Sequence, residues 1–415
     1  MLRFLTSGES HGKALTTIVE GIPANLPLTE DYIETQMARR QVGYGRGGRM
    51  KIEKDRAEIL SGVRHGLTMG SPIGMHIINR DFSTGTGPDG VPWVDEMSVN
   101  PSDVPFEPIT SLRPGHADTP GITKYMQSDA RNILERSSAR ESAARVAAGA
   151  VARRFLEEFG IEIHGHVRCI GGIHADVPSN IDWAELEMDP YHSDNPNGSK
   201  VAAVRCADPD AAARMITEID SAREAGDSLG GIIEVIVNGL PIGLGSHIQW
   251  DKKLTTRLAA AVMSINAVKG VEFGAGFNQA DLRGSQVHDV VKPQSEWDTN
   301  QEGWLNPWER RTNNSGGLEG GMTTGEPLVV RAVVKPIATI INGLETVDLT
   351  SGEFVAKAHF ERSDITFVPT CAVIEEAMVA LILADAMLEK FGGDSLEEIK
   401  RNWRGYMNST GPISS

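Results

Sequence analysis

Gly8-Glu9-Ser10-His11-Gly12-Lys13-Ala14-Leu15-Thr16-Thr17-Ile18-Val19-Glu20-Gly21-Ile22-Pro23 is the stretch whose reading decides the fold. Its first five residues match G-x-S-x-G, the motif of a serine nucleophile set between a strand and a helix. Here residues 14–20 follow, and they are β-rich and read as a strand. The motif also stands ahead of any sheet that could carry a hydrolase site. A serine hydrolase is therefore rejected, Ser10 reads as a loop residue, and interest passes to His11. Gly21-Ile22-Pro23 has an echo in Gly239-Leu240-Pro241. Each tripeptide follows a strand and precedes a helix, which suggests a duplicated βαβ unit.

Outward from this stretch, strands and helices interleave. Arg56–Leu60, Ile73–Asn79, Ile232–Val237 and Leu328–Lys335 are β-rich runs of strand length. Thr29 caps a helix over about 30–40. Ser138-Ala139-Arg140-Glu141 reads as a capping box opening an alanine-rich helix to about 155. Asp208-Pro209 opens another, stopped by Gly226. Leu254, Leu258, Val262 and Ile265 line a face of a fourth, and 373–391 form a long apolar helix ended by Gly392. The expected class is mixed α/β (α+β), one large domain without a linker. Residues 181–200 and 292–311 read as loops outside the core.

Composition narrows the function. In 415 residues, 40 Lys+Arg stand against 56 Asp+Glu, a formal charge of −16, which disfavours nonspecific binding to nucleic acid or an anionic membrane. Cys169, Cys206 and Cys371 form no CxxC pair, so a zinc site is not expected and a reducing compartment is. The N-terminus holds no apolar run of signal-peptide length, and no window approaches a membrane span; the cytoplasm is the expected location.

Against that acidic average, local basic clusters carry information. Arg39, Arg40, Arg46, Arg49 and Lys51 lie between residues 36 and 52 without an acid among them. Gly43-Tyr44-Gly45-Arg46-Gly47-Gly48 matches G-x-G-x-x-G, but it follows a helix, where a dinucleotide fingerprint follows a strand. The alternative reading, a glycine loop, lets guanidinium groups converge on one anion. Arg113-Pro114-Gly115-His116-Ala117-Asp118 sets a histidine beside an arginine in a rigid turn. Arg136-Ser137-Ser138-Ala139-Arg140 stands at a helix N-terminus, a natural anion site. Gly316–Gly321 and Lys335–Thr339 are loops able to lie against a planar ligand, and Arg362-Ser363-Asp364 precedes the last apolar helix. Each cluster has a plain alternative in a solvated loop or an ordinary cap.

In this order the clusters resemble chorismate synthase. The resemblance runs through Gly8–Gly12, Arg39-Arg40, Gly45–Met50, Ser61-Gly62-Val63, Arg113–Asp118, Arg136–Gly149, Gly316–Gly321, Lys335–Thr339, Arg362–Asp364 and Glu376–Ala380, from residue 2 to about 392. Thr119, Met126 and Phe82 depart from the family pattern, away from the proposed catalytic groups. The family implies a β-α-β sandwich with internal duplication, with residues 1–392 as the catalytic domain and 393–415 as an extension. It implies 1,4-anti elimination of phosphate from 5-enolpyruvylshikimate 3-phosphate to chorismate, dependent on reduced FMN without net redox change. By resemblance, His11 serves the leaving phosphate, His116 the flavin pyrimidine and Asp364 the flavin N5. Ser10, Arg40, Arg46, Arg49, Arg113 and Arg140 bind substrate. Arg136, Ser137, Ser138, Asn266, Ala267, Gly320, Lys335, Pro336, Ile337, Ala338, Thr339 and Arg362 line the flavin site. A homotetramer is implied. NADP enters only through reduction of the flavin by an external reductase, since no separate nicotinamide site is legible. A flavin-dependent oxidoreductase would differ by exchanging hydride with NADPH. A mere anion-binding scaffold would leave His11, His116 and Asp364 unexplained.

Overall fold

The computed structural model describes residues 1–47, 54–87, 90–296, 306, 308–361 and 364–411. Strands β1 (Arg3–Ser7) and β2 (Ala14–Glu20) form an antiparallel hairpin. The loop at 8–13 therefore joins two strands, which is why it cannot be a strand-to-helix elbow. Helix α1 (Glu30–Gln41) starts where the Thr29 hydroxyl accepts the Tyr32 N–H. Strands β3 (Ala57–Ile59) and β4 (Ile73–Ile78) complete the first sheet in the order β1-β2-β4-β3, each neighbour antiparallel. β2 and β3 thus run parallel with β4 inserted between them, a split βαβ unit.

Helices α2 (Asp118–Tyr125), α3 (Arg131–Ser137) and α4 (Ser142–Glu157) follow. The second half repeats the frame with β5 (Glu162–Ile170), α5 (Pro209–Ala225), β6 (Gly231–Asn238), α6 (Leu254–Met263), β7 (Val268–Phe273) and β8 (Leu328–Val334). Its order is β5-β6-β8-β7, again antiparallel, with a two-residue strand beyond β5. The echoed tripeptides fall at matching points. Gly21 follows β2 and Gly239 follows β6, with φ of +93° and +80°. A Cβ on Gly21 would lie 2.5 Å from the Met1 carbonyl oxygen, and one on Gly239 would lie 2.4 Å from that of Gly160. Both carbonyls stand two residues before the partner strand, so each repeat needs glycine for the same steric reason.

Between the sheets lies a helical layer. α4 packs on β1, β2 and β4; α7 (Val368–Phe391) packs on β5 and β6; α1 and α6 flank them, and α4 crosses α7. This is the expected β-α-β sandwich. Alanines on α4 permit the close crossing, and a Cβ on Gly149 would strike that of Ala377 at 2.4 Å. α7 is buried almost throughout because protein surrounds it.

Several local expectations are corrected. The Ser138 hydroxyl accepts the Arg140 N–H at 3.3 Å, but Ala139–Glu141 form a 3₁₀ turn and α4 begins at Ser142. Glu141 accepts from Arg145 at 2.8 Å instead of reaching back, so the reciprocal capping box does not form. α7 starts at Val368, five residues before the apolar run suggests, with Pro369 in its first turn, where a missing N–H costs nothing. β1, β5 and β7 carry charged or small residues that masked them. β5, for example, sets buried His166 against Glu234 of β6 at 2.9 Å. Residues 181–200 are not all outside the core, since Leu186 is buried and Trp183 stacks on His164. Beyond Gly392, helix α8 (Leu396–Met407) buries Leu396, Ile399 and Met407, and the Ser395 hydroxyl caps it.

Candidate active site

Loops from both halves converge on one cavity of ≈390 Å³. From the first half come the β1–β2 loop with Ser10 and His11, the end of α1 with Arg40, the loop with Arg46 and Gly47, the turn before α2, and the 3₁₀ turn before α4. From the second half come Asn266 and Ala267 after α6, Lys335–Thr339 after β8, and Glu361, Asp364 and Phe367 before α7.

The guanidinium groups are held from behind by acids. Asp55, whose side chain is fully buried, accepts from Arg40 at 2.7 Å and from Arg140 at 2.5 Å. Burial alone would lift the Asp55 carboxyl, but the two arginines outweigh it and hold it at about 2. Burial, with Arg140 and Arg46 adding to it, pushes Arg40 down to about 10 against the attraction of Asp55. Arg140 also donates to the Asn79 side-chain oxygen at 2.9 and 3.0 Å, and the Asn79 amide donates to the Gly12 and Glu9 carbonyls. The arginine and the His11 loop are thereby held in one frame. Arg46 pairs with Asp364 at 3.2 Å, and Asp364 also accepts the Gly47 N–H at 2.6 Å. Asp55 thus holds two buried arginines together at the cavity.

His11 is built in from two sides. Its backbone N–H donates to Glu135 Oε2 at 2.7 Å and its Nδ1 meets Glu135 Oε1 at 2.8 Å. Its ring stacks on Trp93 with centroids 3.9 Å apart and planes 14° apart. Glu135, on α3, also receives Arg131 at 3.2 Å. Burial would raise the Glu135 carboxyl, but hydrogen bonds from His11 and the charge of Arg131 hold it below the usual range. An ionised carboxylate only accepts, so Nδ1 carries the proton.

His116 repeats the arrangement at the other wall. Its Nδ1 meets Asp118 Oδ1 at 2.6 Å, and Arg113 forks onto the same carboxylate at 2.9 and 3.0 Å. Burial opposes the ionisation of Asp118, but His116 and Arg113 prevail and hold it well below the usual range. Arg113 reaches Thr339 at 3.3 Å, and Lys335 donates to the Gly115 carbonyl, joining the turn to the second half. Burial and Lys269 depress Lys335. Ala267 holds φ at +70°, unusual for a residue with a Cβ; the Asn266 amide donates to the Ser137 carbonyl at 2.8 Å. Strained backbone of this kind collects at ligand sites.

Of the residues singled out from sequence, Ser10, His11, Arg40, Arg46, Arg113, His116, Ser137, Ser138, Arg140, Asn266, Ala267, Lys335–Thr339 and Asp364 line the cavity. Two do not. Arg136 turns away to the Thr6 and Gly8 carbonyls at 3.0 and 3.1 Å, and Gly320 stands in a hairpin turn near His247. Arg49 and Arg362 lie outside the described residues. Reading the sequence missed Asp55, Asn79, Trp93, Arg131, Glu135 and Glu361. Only the arginine excess at 39–51 hinted that an acid such as Asp55 must answer it. Among the described residues no group of His, Cys, Asp and Glu could hold a metal ion, and no helix is long and apolar enough to cross a membrane.

The fold gathers arginines and two histidines from the first half, with loops of the second, around one cavity. A chorismate synthase family profile matches residues 2–388. The chain is 52% identical over 411 residues to the chorismate synthase of Geobacter sulfurreducens, covering 98% of each chain. It is 49% identical over 423 residues to that of Thermobifida fusca, covering 99% of each. A solved crystal structure of chorismate synthase matches with a TM-score of 0.70 at 42% identity, covering 98% of this chain and 97% of the other. The chain belongs to the chorismate synthase family and is an enzyme of the lyase class.

Proposed function

We propose that the enzyme eliminates phosphate from 5-enolpyruvylshikimate 3-phosphate in 1,4-anti fashion, giving chorismate with reduced FMN required and no net redox change. The observation that carries the reading is His11, held by a buried carboxylate on Nδ1 in a cavity lined, among the described residues, by four arginines. The substrate bears two carboxylates and a phosphate. Arg40, Arg46, Arg113 and Arg140 offer positive charge to such groups, and Arg49 is proposed to join them. Ser10 offers a hydroxyl beside them. Loss of phosphate develops negative charge on the bridging oxygen, which fixed cations stabilise and a proton donor quenches. His11, with Nδ1–H committed to Glu135, would donate from Nε2 in its doubly protonated form and be left as the neutral ring with its proton on Nδ1.

The residues present fit a flavin. Ala267, Pro336, Ile337, Ala338 and Phe367 give the cavity apolar walls for a planar ring, while Ser138, Asn266, Lys335 and Thr339 add polar atoms. We propose that these, with Ser137 and Arg362, hold the flavin, that His116 stands at its pyrimidine and that Asp364 stands at its N5. Bound reduced flavin supplies electron density for breaking the C–O bond. His116, braced by Asp118, offers a donor to an anionic ring edge. Asp364, braced by Arg46 and the Gly47 N–H, offers a carboxylate to hold a proton. Arg136 and Gly320, being away from this cavity, are not assigned to it.

Reduced FMN is proposed to come from an external flavin reductase, the only point at which NADP enters. Cytoplasmic location, homotetrameric assembly and the division at residue 392 are proposed on family resemblance. The test is anaerobic incubation of the full chain with 5-enolpyruvylshikimate 3-phosphate and photoreduced FMN, following chorismate absorbance and phosphate release. Product with reduced and none with oxidised FMN is expected; folded protein that yields none overturns the proposal.

A further inference from the structure

We infer that Glu135 is the positioning residue of His11: its carboxylate grips the backbone N–H and the ring Nδ1 together, leaving Nε2 as the atom that meets the leaving group. The inference rests on the proposed role of His11 as proton donor to phosphate.

Three observations carry it. Each oxygen of Glu135 takes one hydrogen from the same residue, at 2.7 and 2.8 Å. One carboxylate therefore restrains both the loop backbone and the rotation of the ring. Trp93 covers a ring face at 3.9 Å, removing the remaining freedom of tilt. Finally, the Ser10 N–H donates to the Glu135 backbone carbonyl at 3.0 Å, so α3 and the β1–β2 loop are joined twice at one residue. A carboxyl with only a structural task could have been met by Arg131 alone. Instead Arg131 is shared. It pairs with Glu96 from the short helix Trp93–Glu96, with Glu135 on its own helix at 3.2 Å, and with Glu361 at 3.4 Å, which in turn meets His359 at 3.0 Å. Three carboxylates, Glu96, Glu135 and Glu361, thus meet one guanidinium behind His11. In the proposed step the doubly protonated ring gives its Nε2 proton to the phosphate and keeps the Nδ1 proton on Glu135. Glu135 holds the ring; it does not touch substrate.

The test has two arms on the full chain. The first labels the ligand-free wild-type protein with ¹⁵N-histidine and assigns His11 by the signal lost in His11→Gln. A proton on Nδ1 at pH 7.5 is expected; a bare Nδ1 with the proton on Nε2 overturns the inference. The second arm is kinetic. Glu135→Gln keeps the shape but cannot accept both hydrogens. Its kcat is expected to fall roughly 10–100-fold, the scale seen for partners that orient a functional histidine. KM for the enolpyruvyl substrate should move less than about threefold, because substrate binding is not what is lost. In a His11→Ala background the same substitution should cost nothing further; an additive loss overturns the inference. Should Glu135→Gln fail to fold, the wild-type spectrum still decides. Absence of any product from the wild-type enzyme would count against the proposed reaction, whereas normal product with a bare Nδ1 would count against Glu135 alone.

Discussion

β1–β4 with α1 and α4 recur as β5–β8 with α6 and α7, yet equivalent points of the two halves bring different chemistry to the cavity. The end of α1 and the loop after it supply Arg40 and Arg46; the residues after α6 supply Asn266 and Ala267. The turn before α4 supplies Ser138 and Arg140; the segment before α7 supplies Asp364 and Phe367. The β1–β2 loop carries His11, whereas its counterpart between β5 and β6 runs through α5 and lines no part of the cavity among the described residues. The first half concentrates arginine and histidine, and the second provides apolar walls with Lys335, Glu361 and Asp364. A duplicated frame determines where side chains can meet, and each copy is then free to diverge in what it places there.

The central helices diverge too. α4 is rich in alanine, while α7 places Glu375 and Glu376 in the interior. Glu376 is answered by Arg39 and by Arg153 at 2.7 Å, and it is held at about 2 because those arginines overcome its burial. Neither oxygen of Glu375 has a hydrogen-bond partner among the described residues. Burial first, then Glu234 and Glu376, push its carboxyl well above the usual range.

The contrast can be broken most severely at His11. His11→Ala is expected to lower turnover by about two orders of magnitude or more, the scale of a lost general acid. Anaerobic chorismate formation measures it, and near-normal turnover would remove His11 from the chemistry. The second half is probed at Ala267. A branched side chain at φ +70° is strained, so Ala267→Val should destabilise the fold by about 1–3 kcal/mol, read by urea unfolding. Flavin fluorescence should show weaker FMN binding in the same variant; unchanged binding would mean that the second half does not shape the flavin wall.

The smallest effect concerns the difference between α4 and α7. Between the ordinary carboxyl value of 4.5 and the raised folded value, folded Glu375 keeps a proton that the unfolded chain has released. Stability from this group is therefore complete below about pH 4.5 and declines as pH rises. Glu375→Gln removes that decline. Its unfolding temperature should exceed that of the wild type by a margin larger at pH 8 than at pH 5. Parallel curves would show that Glu375 does not hold its proton in the folded protein.

Local rules reached far along this chain. The β-rich run at 14–20 gave β2 its bounds, Thr29 marked the start of α1, and Asp208 and Gly226 bracketed α5. The two glycine-proline echoes located the duplication, because glycine is required wherever a Cβ would strike the neighbouring strand's carbonyl. The arginine and histidine clusters were visible because they depart from an acidic average. What answers them was not. Asp55 and Glu135 are single acids in unremarkable surroundings, and only packing brings them to Arg40, Arg140 and His11.

Neighbours in sequence make the division plain. Arg39 and Arg40 are adjacent on α1, but a helix turns about 100° per residue, so Arg39 faces Glu376 in the core and Arg40 faces Asp55 at the cavity. Arg136 stood with Ser137 and Ser138 in one cluster, yet it turns to carbonyls of the first strand and its loop. By itself the sequence determined the elements, the repeat and the kinds of chemical group available, since these follow from local sterics, periodicity and charge. The tertiary structure decided which of those groups meet, because the rotation of each helix against its neighbours is set by packing over the whole sandwich.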